Sequence, residues 1–521
     1  MSRNTLNFIK EDSKRDKERV RNFKSIRRLF DIRPKTEYFL DEQSFNDLDL
    51  NTVYEKIDRT YSSAGESALY SMIRNIITDK ETLNKRSNII NFFKEHEDIK
   101  CKIQMYFFNM GFDNKDCFVE MLETYLKVNK SKYYSYTFLG KILPLIIVLT
   151  AVLTRNVKYM LALFVILWIN TFINIAEAKN IKDKGLLYLR KIIVASKKLK
   201  NLNVPQLKDY RNHIKDILNS IKVIDRGTRF LGFTTMFEGF LEFISAPLLL
   251  EEITYYKLSS ELKDKKDCLL DLYYTIGEIE ALTSIASYQS GLTTTYTKPK
   301  FSEEVKLNIS EGIHPLVKNP VTNSININKH GIILTGTNMS GKSTFLRMLG
   351  INIVFAQSFN FVLAEHYEAS FFNVVSSISP SDDVNAGKSY YMAEAESILR
   401  IIKATEKPIP IFCAIDEIFR GTNPVERIAS SAEILKYINS KKVISIVATH
   451  DRELADILKD NYDFFHFSED VNNKEGLSFD YKLKQGVTKT KNAIKLLKYI
   501  GYPDEIIDKS FERAKHIEGF I

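Results

Sequence analysis

The stretch Gly331–Leu346, GIILTGTNMSGKSTFL, constrains this chain more than any other. An apolar, β-favouring run leads straight into Gly336-Thr337-Asn338-Met339-Ser340-Gly341-Lys342-Ser343-Thr344, and a helical pattern follows at once. Strand, glycine loop and helix in that order make a phosphate cradle. The glycines let backbone N–H groups curl around phosphate oxygens, and the helix N-terminus adds positive potential. In such a loop Lys342 reaches the β- and γ-phosphates and Ser343 holds Mg²⁺.

A second element lies about seventy residues on, where Ile411-Phe-Cys-Ala-Ile415 reads as a strand of a parallel sheet covered on both faces and ends in Asp416-Glu417. Acids at the carboxyl end of such a strand suit a nucleoside triphosphatase: Asp416 for the metal, Glu417 to orient and polarise the attacking water. The strand predicted over 444–449 then delivers His450, placed to sense a γ-phosphate.

These residues carry a family resemblance. Gly336 to Arg347, Asp416-Glu-Ile-Phe-Arg-Gly-Thr422 and Ala448-Thr-His450 resemble the ATPase domain of the MutS family of DNA mismatch repair proteins. Ser381-Asp-Asp-Val-Asn-Ala-Gly-Lys-Ser-Tyr-Tyr-Met-Ala-Glu394 resembles the family's loop that inserts a serine, here Ser389, into the nucleotide site of the opposite subunit. The resemblance implies a homodimer with two composite ATP sites, Mg²⁺ as cofactor, Gly387 and Ser389 acting in trans, and Arg420 to Asn423 along the subunit interface. ATP as the nucleotide is inherited from the family, because the lead-in Asn319-Pro-Val-Thr-Asn323 offers no aromatic residue to stack on a base.

Weaker similarity extends outward. Leu307 to Leu316 resembles the family's lead-in strand, with Ile313 where an arginine is usual, and Thr60 to Phe93 resembles the start of its helical core and lever. Tyr481 to Val487 and Ile500 to Ile507 resemble its closing dimerisation helices. The implied fold is α plus α/β: a basic arm at 1–36, a helical core and lever at 37–298, a P-loop α/β ATPase at 299–470 and dimerisation helices at 471–521. Family members that find mismatches carry two further N-terminal domains and a Phe-x-Glu wedge. The expectation here is a short form without them, the Phe-Ser-Glu triplets at 301–303 and 467–469 lying on the ATPase side.

Composition fits two sizeable globular units, with 44% hydrophobic residues over 521 positions. Cys101, Cys117, Cys268 and Cys413 show neither metal nor redox spacing, which reads as a reduced, cytosolic set. Of the net charge of +9, residues 1–36 supply +7, from twelve Lys or Arg against five Asp or Glu. Such an arm could neutralise DNA phosphates or anionic headgroups, or be a solvated arm with interleaved acids. No apolar core follows its charges, so it is not a secretory signal.

Residues 138–176 are unexpected in this setting. Ile142 to Thr154 gives thirteen uncharged residues and Tyr159 to Ala176 eighteen more, with only Arg155 and Lys158 charged between them. Eighteen helical residues span about 27 Å, close to the roughly 30 Å hydrocarbon core of a bilayer. Tyr133, Tyr134 and Tyr136 supply an aromatic belt, and the basic residues outside the turn place both flanks in the cytosol. The reading is a transmembrane helical hairpin, with a buried hairpin inside the lever as its alternative. A third apolar stretch, Phe230 to Leu250, contains Glu238, Glu242 and Pro247 and reads as an amphipathic or interior helix. From Glu252 to Tyr288 apolar residues recur at helical spacing, predicting one long packing helix.

Two functions follow from this pattern. The first is an ATP-hydrolysing, DNA-binding protein related to mismatch repair without the mismatch-reading domain. The second is a membrane-anchored mechanical ATPase acting on protein or lipid partners, its ATPase domain in the cytoplasm. An ATP-driven transporter fits poorly, since one hairpin makes a poor pathway and no Leu-Ser-Gly-Gly-Gln signature is present.

Overall fold

The computed structural model describes residues 3–113, 117–125, 128–181, 184–236, 242–328, 330–337, 339–378, 390–419, 422–472, 476–487 and 493–517. The backbone gathers into two compact units. One comprises Met1–Pro34, Asp58–Ser71 and Asn88–Gly291; the other comprises Lys35–Ile57, Met72–Ser87 and Leu292–Ile521.

The described part of the first unit is helical. Its spine is the helix Lys266–Gly291, which buries Leu269, Leu272, Ile276, Ile279, Leu282 and Ile285. At Gly277 the chain crosses so closely that a Cβ would stand 2.2 Å from the Ala64 carbonyl oxygen, so glycine is required there. Three residues on, buried Glu280 accepts the Tyr61 backbone N–H at 2.5 Å and the Ser62 hydroxyl, and burial pushes its carboxyl up to about 8. The long helix expected from Glu252 to Tyr288 is two helices, Leu250–Asp264 and Lys266–Gly291, parted at Lys265. Lys263 to Asp267 are all charged, leaving that turn no apolar face to bury.

The N-terminal basic segment is folded into this unit. Arg19 and Arg21 converge on buried Asp58 at 2.6 and 3.1 Å, Arg59 holds Asp16 at 2.5 Å, and Lys10 and Lys14 each reach Glu97 at 2.8 Å. Burial would push the Asp58 carboxyl up, but the two guanidiniums outweigh it and hold it down.

The apolar hairpin is helical as expected, through Leu143–Thr154 and Lys158–Ile181, with Arg155 in the left-handed region at φ 50°. Two stretches, Lys130–Thr154 and Lys158–Glu177, are long and apolar enough to cross a membrane. Only 17% and 6% of their most apolar windows is buried, and Leu153, Leu161, Phe164 and Trp168 are exposed. A hairpin serving as interior packing would show the opposite. Near the middle of the second helix, Asn170 Nδ2 donates to the Leu139 and Pro247 carbonyls at 3.0 and 2.8 Å. Of the third apolar stretch, Lys222–Met236 and Glu242–Ser245 are helical, while Glu238 lies outside the described residues.

The second unit holds the mixed architecture. Its strands are β1 Lys300–Ser302, β2 Leu307–Gly312, β3 Asn323–Ile327, β4 Gly331–Thr335, β5 His366–Ser370, β6 Asn373–Ser377, β7 Ile411–Asp416, β8 Val443–Ala448, β9 Tyr462–Asn472 and β10 Gly476–Gln485. A six-stranded sheet runs β10-β9-β4-β8-β7-β6, parallel except for the β9–β10 pair, and a four-stranded sheet runs β1-β5-β2-β3. Every residue of β4, β7 and β8 is buried, as continuous apolar runs in a doubly covered parallel sheet require. Ile333, Cys413, Ile415 and Val447 share a core with Leu435 and Ile438 of the helix Pro424–Asn439. Segments from far upstream complete the unit: Leu48 packs on Gly350, Arg86 Nη1 donates to the Ser358 carbonyl at 2.9 Å, and Ile77 N donates to the Gln357 carbonyl at 2.8 Å.

Candidate nucleotide site

The site forms at the carboxyl ends of β4, β7 and β8, the usual place for ligands on such sheets. β4 delivers the glycine loop. Gly336 adopts φ 149° and Gly341 φ 109°, conformations that only glycine adopts without strain. A side chain on Gly336 would also meet the Phe467 carbonyl oxygen at 3.0 Å. Gly341 then caps the helix Lys342–Phe359.

Lys342 is buried and its Nζ donates to the carbonyls of Gly336 and Thr337 at 2.8 and 3.0 Å, which fixes its charge within the loop. Ser343 Oγ donates to Asp416 Oδ2 at 2.5 Å, joining residues seventy-three positions apart. Glu417 follows in the left-handed region at φ 66°, its N–H donating to the Ala448 carbonyl at 2.8 Å. His450 Nε2 stands 3.2 Å from Glu417 Oε1. Backbone strain at a non-glycine residue beside a cluster of ionisable groups is a common mark of functional sites. Close by, Arg427 forms a two-pronged pair with Asp451 at 2.5 and 3.0 Å, which raises its pKa and keeps it charged.

Lys342, Ser343, Asp416 and Glu417 face one cavity of about 460 Å³, with Thr337, Met339, Thr344, Ile378 and Tyr481 completing its wall. A second, mainly apolar chamber of about 260 Å³ shares Gly341, Thr344 and Tyr481 with it and is lined beyond them by His314, Val321, Met348 and Phe467. The first suits a polyphosphate and the second a flat base. The lead-in 319–323, where the sequence offers no aromatic residue to stack on a base, does line this chamber, through Asn319, Pro320, Val321 and Asn323; sequence reasoning missed that the aromatic residue comes from Tyr481, far along the chain. His314 Nδ1 accepts the Leu316 N–H at 3.2 Å, and burial, aided by Arg347, pushes its pKa down to about 4.

Ser340 is buried in the loop. Asn338, Gly387, Ser389, Arg420 and Gly421 lie outside the described residues, and Asn423 caps the helix Pro424–Asn439 by accepting the Val425 N–H at 2.9 Å.

Comparison with known proteins agrees with this geometry. Residues 332–518 match MutS domain V. The chain is 30% identical over 279 residues to the DNA mismatch repair protein MutS of Thermotoga maritima, covering 50% of this chain and 34% of that protein. It is 31% identical over 268 residues to human MutS protein homolog 4, covering 48% and 28%, and 30% identical over 284 residues to the Clostridium botulinum MutS, covering 51% and 30%. The matched region is thus about a third of the length of these relatives. Residues 332–518, from the strand before the phosphate loop into the C-terminal helices, thus match MutS domain V, and similarity to MutS proteins extends over about half of this chain.

Proposed function

We propose that this chain binds and hydrolyses ATP at the 460 Å³ cavity and uses the cycle to change conformation. The observation that carries the reading is the meeting of the loop hydroxyl Ser343 with the strand-end carboxylate Asp416, beside Lys342 and Glu417. A hydroxyl and a carboxylate are hard oxygen donors that fit Mg²⁺, which would neutralise phosphate charge there. Lys342 holds the β- and γ-phosphates, Glu417 orients and deprotonates the attacking water, and His450 fixes the Glu417 carboxylate. The apolar chamber takes the base, against Tyr481. Gly387 and Ser389 complete the site from a second copy, making a homodimer whose closure follows ATP binding. Turnover by Lys342→Ala and Glu417→Gln proteins tests the assignment; wild-type rates in both would end it. Mixed dimers pairing Lys342→Ala with Ser389→Ala chains are expected to keep at most one working site.

The names of the relatives point to DNA as the partner. Binding of the Glu417→Gln protein, held with ATP, to matched, mismatched and branched DNA across a salt series decides this. Structure-dependent binding at physiological salt supports DNA processing, whereas equal, salt-labile binding reports only non-specific charge.

A second reading rests on the outward-facing apolar hairpin. Residues 138–176 seat the protein in a bilayer with the ATPase in the cytoplasm, and the cycle acts on protein or lipid partners. Flotation with liposomes, lost on replacing residues 142–176 by a short polar linker, tests it.

A further inference from the structure

We infer that Asp47, some three hundred residues upstream of the phosphate loop, is a positioning residue for the nucleotide site and acts through Ile378 and Arg347. This rests on the ATPase reading above. Asp47 ends the helix Glu42–Asp47 and is 2% exposed. Its Oδ2 accepts two hydrogen bonds, from Ser376 Oγ at 2.8 Å and from the backbone N–H of Ile378 at 3.0 Å. Its own backbone carbonyl accepts from Arg347 Nε at 2.8 Å.

Each partner leads to a different wall of the cavity. Arg347 lies in the helix that begins at Lys342, so its bond anchors the element that presents Lys342 and Ser343. Ile378 lines the cavity directly. It stands one residue beyond β6, whose last paired position is Ser377 opposite Ile415, so its N–H has left the strand ladder. A buried amide without an acceptor is costly, and Asp47 supplies that acceptor. One residue therefore bonds both to the phosphate-loop helix and to Ile378 of the cavity lining.

The helix bearing Asp47 is itself held firmly. Asp41 caps it by accepting the Ser44 N–H at 2.8 Å. Arg400 bonds to the Asp41 carboxylate, the Ser376 carbonyl and, at 3.1 Å, Ser44 Oγ, which also accepts the Ser376 N–H at 3.2 Å. Gln43 Nε2 reaches Ser397 Oγ at 2.6 Å. With its frame fixed, a side-chain change at Asp47 is felt at Ser376 and Ile378 and not as a loose helix, while the bond from Arg347, made to the backbone carbonyl, is probed by changing Arg347.

The test uses the full chain and measures KM and kcat for ATP with Mg²⁺, equilibrium binding of a fluorescent ATP analogue, and the melting temperature. Asp47→Leu removes the side-chain acceptor and is expected to raise KM about tenfold while kcat falls less than threefold, because Lys342 and Glu417 are untouched. Asp47→Asn still offers Oδ1 to Ile378 N–H, and the Ser376 hydroxyl can turn to accept from its amide, so KM should stay within about twofold of wild type. Should Asp47→Leu not fold, Arg347→Met carries the test, with a KM rise of about fivefold expected. Equal KM changes in the Leu and Asn variants, a lowered melting temperature with KM unchanged, or an unchanged KM in Arg347→Met would each overturn the inference. A wild-type protein that neither binds nor hydrolyses ATP would remove the nucleotide reading itself and this inference with it.

Discussion

Glu417 and His450 stand 3.2 Å apart at the ends of two neighbouring strands, and the Glu417 N–H is bonded to the Ala448 carbonyl two residues before that histidine. The carboxylate is thus aimed by the adjacent strand. Replacing Glu417 with Gln keeps its shape and removes the proposed base, so turnover should fall by about a hundredfold or more with ATP affinity retained. Lys342→Ala should instead lose affinity. His450→Ala, which removes only the partner that aims Glu417, should cost less than Glu417→Gln; steady-state ATPase assays beside equilibrium binding check the order.

His314 sets a pH dependence. Its folded pKa is about 4 against an ordinary 6.5, so between these values the unfolded chain binds the proton and the folded chain does not. The stability it lends is complete above about pH 6.5 and is lost as pH falls toward 4, about 3 kcal/mol in all for a shift of this size. Urea denaturation of wild type and His314→Gln at pH 7 and pH 4.5 should show a smaller acid loss in the variant.

Tyr481 borders both chambers of the site. Tyr481→Ala should weaken ATP binding about five- to tenfold, as expected for a lost base–aromatic contact, and leave inorganic triphosphate binding unchanged. Competition titrations against a fluorescent ATP analogue separate the two ligands; equal weakening of both would place the base elsewhere.

Asp58 carries the folded N-terminal segment. Fully buried, it pairs with Arg19, which also holds Glu66, and with the almost wholly buried Arg21 guanidinium, so its removal takes a carboxylate partner from a buried charge. Asp58→Ala should cost about 3–5 kcal/mol and expose residues 13–22 to limited proteolysis.

Trp168 is the sole tryptophan of the chain and lies at the middle of the span Lys158–Glu177, exposed on the hairpin. In liposomes its emission should shift to the blue and be quenched most by lipids brominated deep in their chains. Emission unchanged by lipid would remove the membrane seat.

Much of the site is legible along the sequence because its pieces are local: the glycine loop is contiguous, and Asp416-Glu417 and His450 each close a buried apolar run. The apolar hairpin is legible for the same reason. The joining of Phe467 and Tyr481 to the 312–348 part of the apolar chamber, and the Asp47 frame with partners some three hundred positions away, are not, since their proximity comes from packing. Asp47 sits in an ordinary polar stretch and only the bonds to Ser376, Ile378 and Arg347 mark it. The break at Lys265 was visible in five consecutive charges, but apolar spacing on either side masks it.

The interleaving of Lys35–Ile57 and Met72–Ser87 with Leu292–Ile521 has a consequence for synthesis. As the chain leaves the ribosome, Leu48 and Asp47 emerge long before Gly350, Arg347 and Ile378, so their buried faces stay unmatched while some three hundred further residues are made. Closing so large a loop is slow, and the waiting segments are open to wrong partners. A fragment starting at 299 would lack these partners permanently, so the nucleotide site should mature late, as a joint product of both ends of the chain.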